Sequence, residues 1–186
     1  MKNTSTGLLL LALASTGHTQ SKVEIFGHID MNISYAKNGS GSVVGVDQGG
    51  YALPSRLGFR GVEDLGSGTS VGFWLESAIF PDTGGTNTSF FNRRSTISLI
   101  NKSWGELKLG RDYTPAFYNI SSFSPFGTVG MGGSSNLIEG WPVGVDKVTT
   151  MQRASNMLTY ILPTGLGGFY GQLHYAFDEK TKGNGY

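Results

Sequence analysis

The feature that most constrains this chain is a hydrophobic period of two. From Val23 to Tyr35 every odd position except Gly27 is apolar, while Glu24, His28, Asp30, Asn32 and Ser34 take even ones. Successive side chains of a strand point to opposite faces, so such a segment has one apolar and one wet face. The spacing predicts a strand over 23–35, long for a soluble protein but suited to a tilted membrane strand.

The same pattern recurs along the chain. Leu57 and Phe59 alternate with Arg56, Gly58 and Arg60; Val71, Phe73, Leu75 and Ile79 alternate with Ser70, Gly72, Trp74 and Glu76. Ile97 and Leu99 alternate with Arg94, Thr96 and Ser98, and Leu107 and Leu109 with Glu106 and Lys108. Two further candidates run over 153–162, with Leu158 and Tyr160 on the apolar face, and over 169–177, with Phe169, Leu173, Tyr175 and Phe177 set against Gln172 and His174. With no 3.6-residue period anywhere, these seven candidates predict an all-β chain.

The connections sort by length. Glu63 to Gly68, Asn101 to Gly105 and Pro163 to Gly168 read as tight, glycine-bearing turns; Ala36 to Pro54, Phe80 to Phe91 and Asp112 to Met151 are long. Short and long connections therefore alternate. A soluble sandwich has no reason to sort its loops so, whereas a transmembrane antiparallel β-barrel has short periplasmic turns and longer external loops. Trp104 and Phe169 then fall at the periplasmic rim, and Tyr35, Phe80, Phe90, Phe91 and Phe177 near the external one, as two aromatic girdles. Arg111 has the lipid-facing parity of its strand, which requires that the strand has ended or that a bulge turns it inward.

Export is legible at the start. After Lys2, the apolar run Leu8 to Ala14 and the small or polar residues Ser15 to Gln20 have the order of a secretory signal peptide over 1–19, with cleavage after Thr19. Residues 20–186 are then the barrel domain. Composition excludes other classes. The 186 residues contain no Cys, so there is no disulfide scaffold, thiolate zinc site or cysteine nucleophile. A net charge of +1 with scattered cations predicts no nucleic-acid partner. No G-x-S-x-G, P-loop or strand-following G-x-G-x-x-G is present, so no enzyme and no cofactor is expected; His28, His174 and Asp30 read as wet-face residues, not metal ligands.

The blocks SKVEIFGHID (21–30), SRLGFRGVEDLGSG (55–68), FWLES (73–77), FNRRSTISL (91–99), WGELKLGRDYTP (104–115), SPFGTVGMGGSSNLI (124–138) and RASN with TYILPTGLGGFYGQLHYAF (within 153–177) resemble the general diffusion porins of Gram-negative bacteria, the β-proteobacterial group above all. The blocks run in family order across nearly all of the chain after residue 20. The resemblance implies a 16-stranded outer-membrane barrel, a homotrimer in contact with outer-membrane lipid, passing small hydrophilic solutes and ions through a water-filled lumen. It also implies that the third external loop, residues 112–151, folds into the pore.

Strand parity sends Arg56, Arg60, Arg94 and Lys108 to the lumen, with Glu24, Asp30, Glu76 and Glu106 as acidic counterparts. The constriction loop supplies Asp112, Ser124, Pro125, Phe126, Gly127 and Glu139, with Asp146 and Lys147 beyond. Gly127, Gly130, Gly132 and Gly133 allow positive φ against the wall, and Pro125 stiffens the entry. A basic wall facing an acidic loop would set a transverse field across the narrowest point, where charged linings decide ion preference. Relatives often carry Asp where this chain has Ser124 and a cation where it has Thr159, so an acid and a base are both missing; the remaining wall arginines predict a mild anion preference.

The alternative reading is a structural or adhesive outer-membrane barrel without channel activity. Seven strands do not close a porin, and bacterial single-chain barrels have even strand numbers. The chain therefore reads as the N-terminal portion of such a barrel, a little under half, ending in the fourth external loop.

Overall fold

The structure, a computed structural model, describes residues 22–47, 53–129, 133–134 and 149–178. Its strands are β1 (Lys22–His28), β2 (Asn32–Asn38), β3 (Gly41–Asp47), β4 (Arg56–Gly66), β5 (Thr69–Phe80), β6 (Gly85–Thr86), β7 (Arg94–Asn101), β8 (Gly105–Tyr113), β9 (Arg153–Ile161) and β10 (Gln172–Ala176). Among the described residues, the helices α1 (Pro115–Ser122) and α2 (Thr149–Gln152) lie between β8 and β9. The main sheet runs β1-β4-β5-β7-β8-β9-β10, every pair antiparallel, with β6 as a short flap on β5. These seven strands match the sequence reading in number and order.

Burial is inverted relative to a soluble protein. Glu76 and Asp112 are 3% exposed and Thr159 is 6%, whereas Ile25, Ile97 and Leu109 are 69%, 54% and 49% exposed. The polar face is the packed one and the apolar face meets the surroundings, which is the arrangement a lipid-facing wall requires. Only Phe117, Ala154 and Met157 are buried hydrophobic residues among those described. No described helix is long and apolar enough to cross a membrane.

Four details depart from the pattern-based reading. The expected strand over 23–35 breaks after His28, and Asn32–Asn38 pairs instead with Gly41–Asp47 as a separate hairpin that runs from the expected strand into the expected long connection. Pro54 causes the break, because it has no amide to continue the β1–β4 ladder past His28↔Arg56. The Ser55 hydroxyl substitutes, accepting from Asp30 N at 2.8 Å and donating to Asp30 O at 3.0 Å. Tyr35 consequently sits on the hairpin, not at the rim of the main sheet.

The second departure is the turn expected from Glu63: β4 continues to Gly66, and the turn is only Ser67–Gly68, both at positive φ (52° and 75°). Paired positive φ matches the right-handed strand twist of a two-residue hairpin. Third, the last connection is not tight. Residues 162–171 contain a small bridge, Leu166↔Phe169, so Phe169 belongs to the connection and β10 begins at Gln172.

The fourth concerns Arg111. The strand neither ends there nor turns it inward. One residue of β8, Arg111, faces two of β9, Ser155 and Asn156, because the register jumps between Gly110↔Met157 and Asp112↔Ala154. Asn156 absorbs the extra residue at φ 55°, a conformation that Asn tolerates better than most. Arg111 keeps the parity of Leu107 and Leu109, and its Nε donates to Asn92 O at 2.6 Å and its Nη1 to Ser155 Oγ at 2.9 Å.

Candidate functional site

The polar face of the sheet concentrates the charged groups, and the ladder register explains how. Glu76 on β5 pairs with Arg94 on β7, and Gly58 on β4 pairs with Glu76 from the other side, so charged residues of neighbouring strands fall at similar heights. Glu76 Oε1 accepts from Arg56 Nη1 at 3.1 Å and from Arg93 Nε at 2.6 Å, and its Oε2 takes the Trp74 indole N–H at 3.1 Å. One buried carboxylate therefore holds two guanidinium groups and a ring. Arg60 meets Glu24 through two parallel bonds, Nε to Oε2 at 3.0 Å and Nη2 to Oε1 at 3.1 Å, the fork-to-fork geometry that favours arginine over lysine.

Further along, Asp112 accepts from Arg94 Nε at 2.7 Å and from Lys108 Nζ at 3.2 Å, and Lys108 also lies 3.4 Å from Glu106. Asp112 was expected in the loop. It lies instead on β8, which runs two residues past Arg111, and its side chain serves the wall rather than opposing it. Glu24, Glu76, Glu106 and Asp112 each lie beside a cation of the same face, so acids and bases share that surface; Glu139 and Asp146, the loop acids expected to oppose it, lie outside the described residues. Asp30 sits at the break after β1, where its Oδ2 accepts from Leu53 N at 3.0 Å.

Parity reasoning missed three contributors. Arg93 has the odd number of the apolar face, but it precedes β7, where parity does not apply; its amide bonds Glu76 O at 3.1 Å and its side chain turns onto the polar face. Arg153, at the mouth of β9, donates through Nη2 to Tyr113 Oη at 2.5 Å and through Nη1 to Gln152 Oε1 at 2.6 Å, with no carboxylate partner among the described residues. Tyr113 also accepts from Arg93 Nη2 at 2.8 Å, so one phenol links two arginines. The doubled arginine in Asn92-Arg93-Arg94-Ser95 was the available signal for Arg93. The alternation of β9, with Leu158 and Tyr160 on the apolar face, was the available signal for Arg153, although the bulge at Asn156 shifts that alternation before Arg153 is reached.

The long connection begins as a helix that periodicity did not reveal, because eight residues are too few to show a 3.6 period. Its caps were legible: Thr114 Oγ1 accepts from Phe117 N at 3.2 Å and Pro115 takes the first helical position. The helix packs onto the polar face. Phe117 stacks on Tyr113 at 4.7 Å between centroids, and the Tyr118 hydroxyl accepts from Arg94 Nη2. Beyond it, Ser124, Pro125, Phe126 and Gly127 form a turn closed by Gly127 N donating to Ser124 O at 3.2 Å and by Ser124 Oγ donating to Gly127 O. Gly127 has φ 72°, and Ser134 N returns to Gly127 O at 3.2 Å. Gly133 lies in a close approach to Thr128 and Val129, while Gly130, Gly132, Glu139, Asp146 and Lys147 lie outside the described residues, as does the segment 1–19. His28 and His174 sit on β1 and β10, the two ends of the sheet order.

Comparison with known proteins agrees with this geometry. The profile of the Gram-negative porin family matches residues 5–186. The chain is 40% identical over 182 residues to outer membrane porin protein 32 of Delftia acidovorans, covering 97% of this chain and 51% of that protein. It is 31% identical to an outer membrane porin protein of Bordetella pertussis, covering 98% of this chain and 50% of that one. Among solved structures, an anion-selective porin from Comamonas acidovorans superposes with a TM-score of 0.73 at 41% identity, over 86% of this chain and 48% of the other. The chain spans about half the length of the curated relatives it matches. An antiparallel sheet with its polar face packed and its apolar face exposed, together with a family match across nearly the whole chain, shows that the chain belongs to the Gram-negative porin family of outer-membrane β-barrels.

Proposed function

We propose that the protein forms a water-filled channel in the outer membrane for passive diffusion of small hydrophilic solutes and ions, with anions favoured. The observation that carries this is the charge inventory of the polar face. Arg56, Arg60, Arg93, Arg94, Lys108 and Arg153 stand against Glu24, Glu76, Glu106 and Asp112. The excess lies where two arginines share Glu76 and where Arg153 meets only neutral partners. A lining with net positive charge lowers the barrier for anions and raises it for cations. The structural relative titled anion-selective supports the same sign.

In this reading the connection that leaves β8 after Tyr113, expected over 112–151, is the third external loop and narrows the pore. Support comes from α1, whose Tyr118 is tied to Arg94 on the polar face. The homotrimer and a signal peptide over 1–19 belong to the same proposal and rest on the family resemblance and the order of residues at the N-terminus.

The test is the reversal potential of the purified intact protein in planar bilayers across a salt gradient. Stepwise conductance with an anion-side reversal potential is expected, and the triple variant Arg56→Ala, Arg93→Ala, Arg153→Ala should move it toward the cation side. Insertion without conductance, or a cation preference indifferent to these arginines, would overturn the proposal.

A further inference from the structure

Aromatic rings and guanidinium groups alternate across the polar face, strand by strand. Phe26 on β1 is followed by Arg60 on β4, Trp74 on β5, Arg94 on β7, Tyr113 on β8 and Arg153 on β9. Arg60 Cζ lies 5.2 Å from the Phe26 ring centroid and 5.0 Å from that of Trp74. Arg94 Cζ lies 4.4 Å from Trp74 and 5.9 Å from Tyr113, and Arg153 Cζ lies 4.1 Å from Tyr113. All of these fall within the range at which a ring quadrupole attracts a cation. Trp74 occupies the middle of this belt, between arginines that arrive from the strands on either side of β5.

We infer that Trp74 is a specificity-determining positioning residue: its indole holds Arg60 and Arg94 apart and oriented, so that both offer positive charge to a carboxylate or phosphate solute. The inference rests on the channel reading above. Each of the two arginines is also bonded to one acid, Arg60 to Glu24 and Arg94 to Asp112, so each guanidinium is pulled between a carboxylate and a ring. Both pairs are closed, at 3.0 Å for Arg60 with Glu24 and 2.7 Å for Arg94 with Asp112, so the ring acts on orientation: without it each guanidinium turns freely about its acid, and its remaining N–H groups no longer point toward a passing anion.

The indole is itself fixed. Phe26 meets it edge-on at 5.1 Å and 66°, and its N–H is donated to Glu76. Phe26 can lie there only because Gly58 has no side chain; a Cβ at that position would come within 2.3 Å of the Phe26 ring. Beside the belt, Arg60, Arg94 and Lys108, with their acids Glu24 and Glu106, line a groove of about 440 Å³, room enough for a small organic solute.

Reversal potentials of the intact protein carrying Trp74→Leu and Trp74→Phe test this, with the thermal stability of the folded barrel measured alongside. The expected result is an anion-to-cation permeability ratio about two- to fivefold lower in Trp74→Leu, restored by the conservative Trp74→Phe, which keeps a ring face. Should Trp74→Leu fail to fold, Trp74→Gln removes the ring equally and carries the same expectation. An unchanged ratio in the ringless variant overturns the inference. So does an equal loss in both variants, which would assign the effect to the N–H bond with Glu76 instead of the ring. Wild-type protein that inserts without conducting overturns the channel reading and this inference with it, whereas wild-type channels indifferent to Trp74 overturn this inference alone.

Discussion

Glu76 joins Arg56, Arg93 and Trp74 with a side chain that is only 4% exposed, beside an Arg93 side chain that is 7% exposed. Removing one partner of a buried ion pair leaves the other charge without compensation, at a cost of about 3–5 kcal/mol. Glu76→Gln is therefore expected to lower the stability of the folded barrel by roughly 3 kcal/mol, read as a shift in denaturant midpoint, and to move the reversal potential further toward anions. Tyr118, outside the membrane strands, gives a pH dependence. Burial is the main cause that pushes its hydroxyl from an ordinary 10.0 up to about 12, against the opposing pull of Arg94. Because the folded value is the higher one, burial of the neutral hydroxyl is fully stabilising below pH 10 and that stability is lost as pH rises through about 12. Protease sensitivity of the connection after β8 should rise across that window in the wild type, and Tyr118→Phe should abolish the pH dependence. At this scale the sequence disclosed which residues were charged and on which parity. It could not disclose that Arg93 and Arg153 turn inward, because both stand at strand mouths, where alternation no longer dictates direction.

Among the elements, β8 and β9 show how a local irregularity positions a site. Gly110 has φ 123°, and a Cβ there would stand 2.1 Å from Ser95 O. Gly110→Ala would force β7 and β8 apart at the level of Arg94 and Asp112. Strain at such a φ alone costs about 1–3 kcal/mol, and the backbone clash adds to it. Gly127→Ala, at φ 72° with nothing within 4 Å of the added carbon, should cost only about 1 kcal/mol. Parallel folding titrations of the two variants check the difference, and equal destabilisation would count against the bulge as a positioning device. The strands of the main sheet were legible because one face is uniformly apolar. The 23–35 break was not, since its cause is Pro54, distant in sequence and adjacent only across the ladder. The helix α1 was legible only through its Thr-Pro cap, never through its period.

Taken whole, the molecule is a wall with a dry outside and a charged inside. Its outer residues are therefore the ones that sense the bilayer. Ile97→Arg should cost about 2–4 kcal/mol for folding into lipid vesicles if that position lies near the midplane. Folding into detergent micelles, which deform around a charge more readily, should be affected less. A comparable loss in both media would remove the outer face from contact with lipid.

Alternation, glycine-bearing turns and loop lengths alone determined an antiparallel membrane sheet of seven described strands, because a period of two admits no other partition between lipid and water. Tertiary structure alone decided how the charges are used. Whether Asp112 opposes the wall or belongs to it depends on how far β8 runs, and whether Trp74 lies between two arginines or beside them depends on the register of β4 and β7 against β5. A one-residue change in register reverses which side chains meet, and no periodicity within a single strand carries that information.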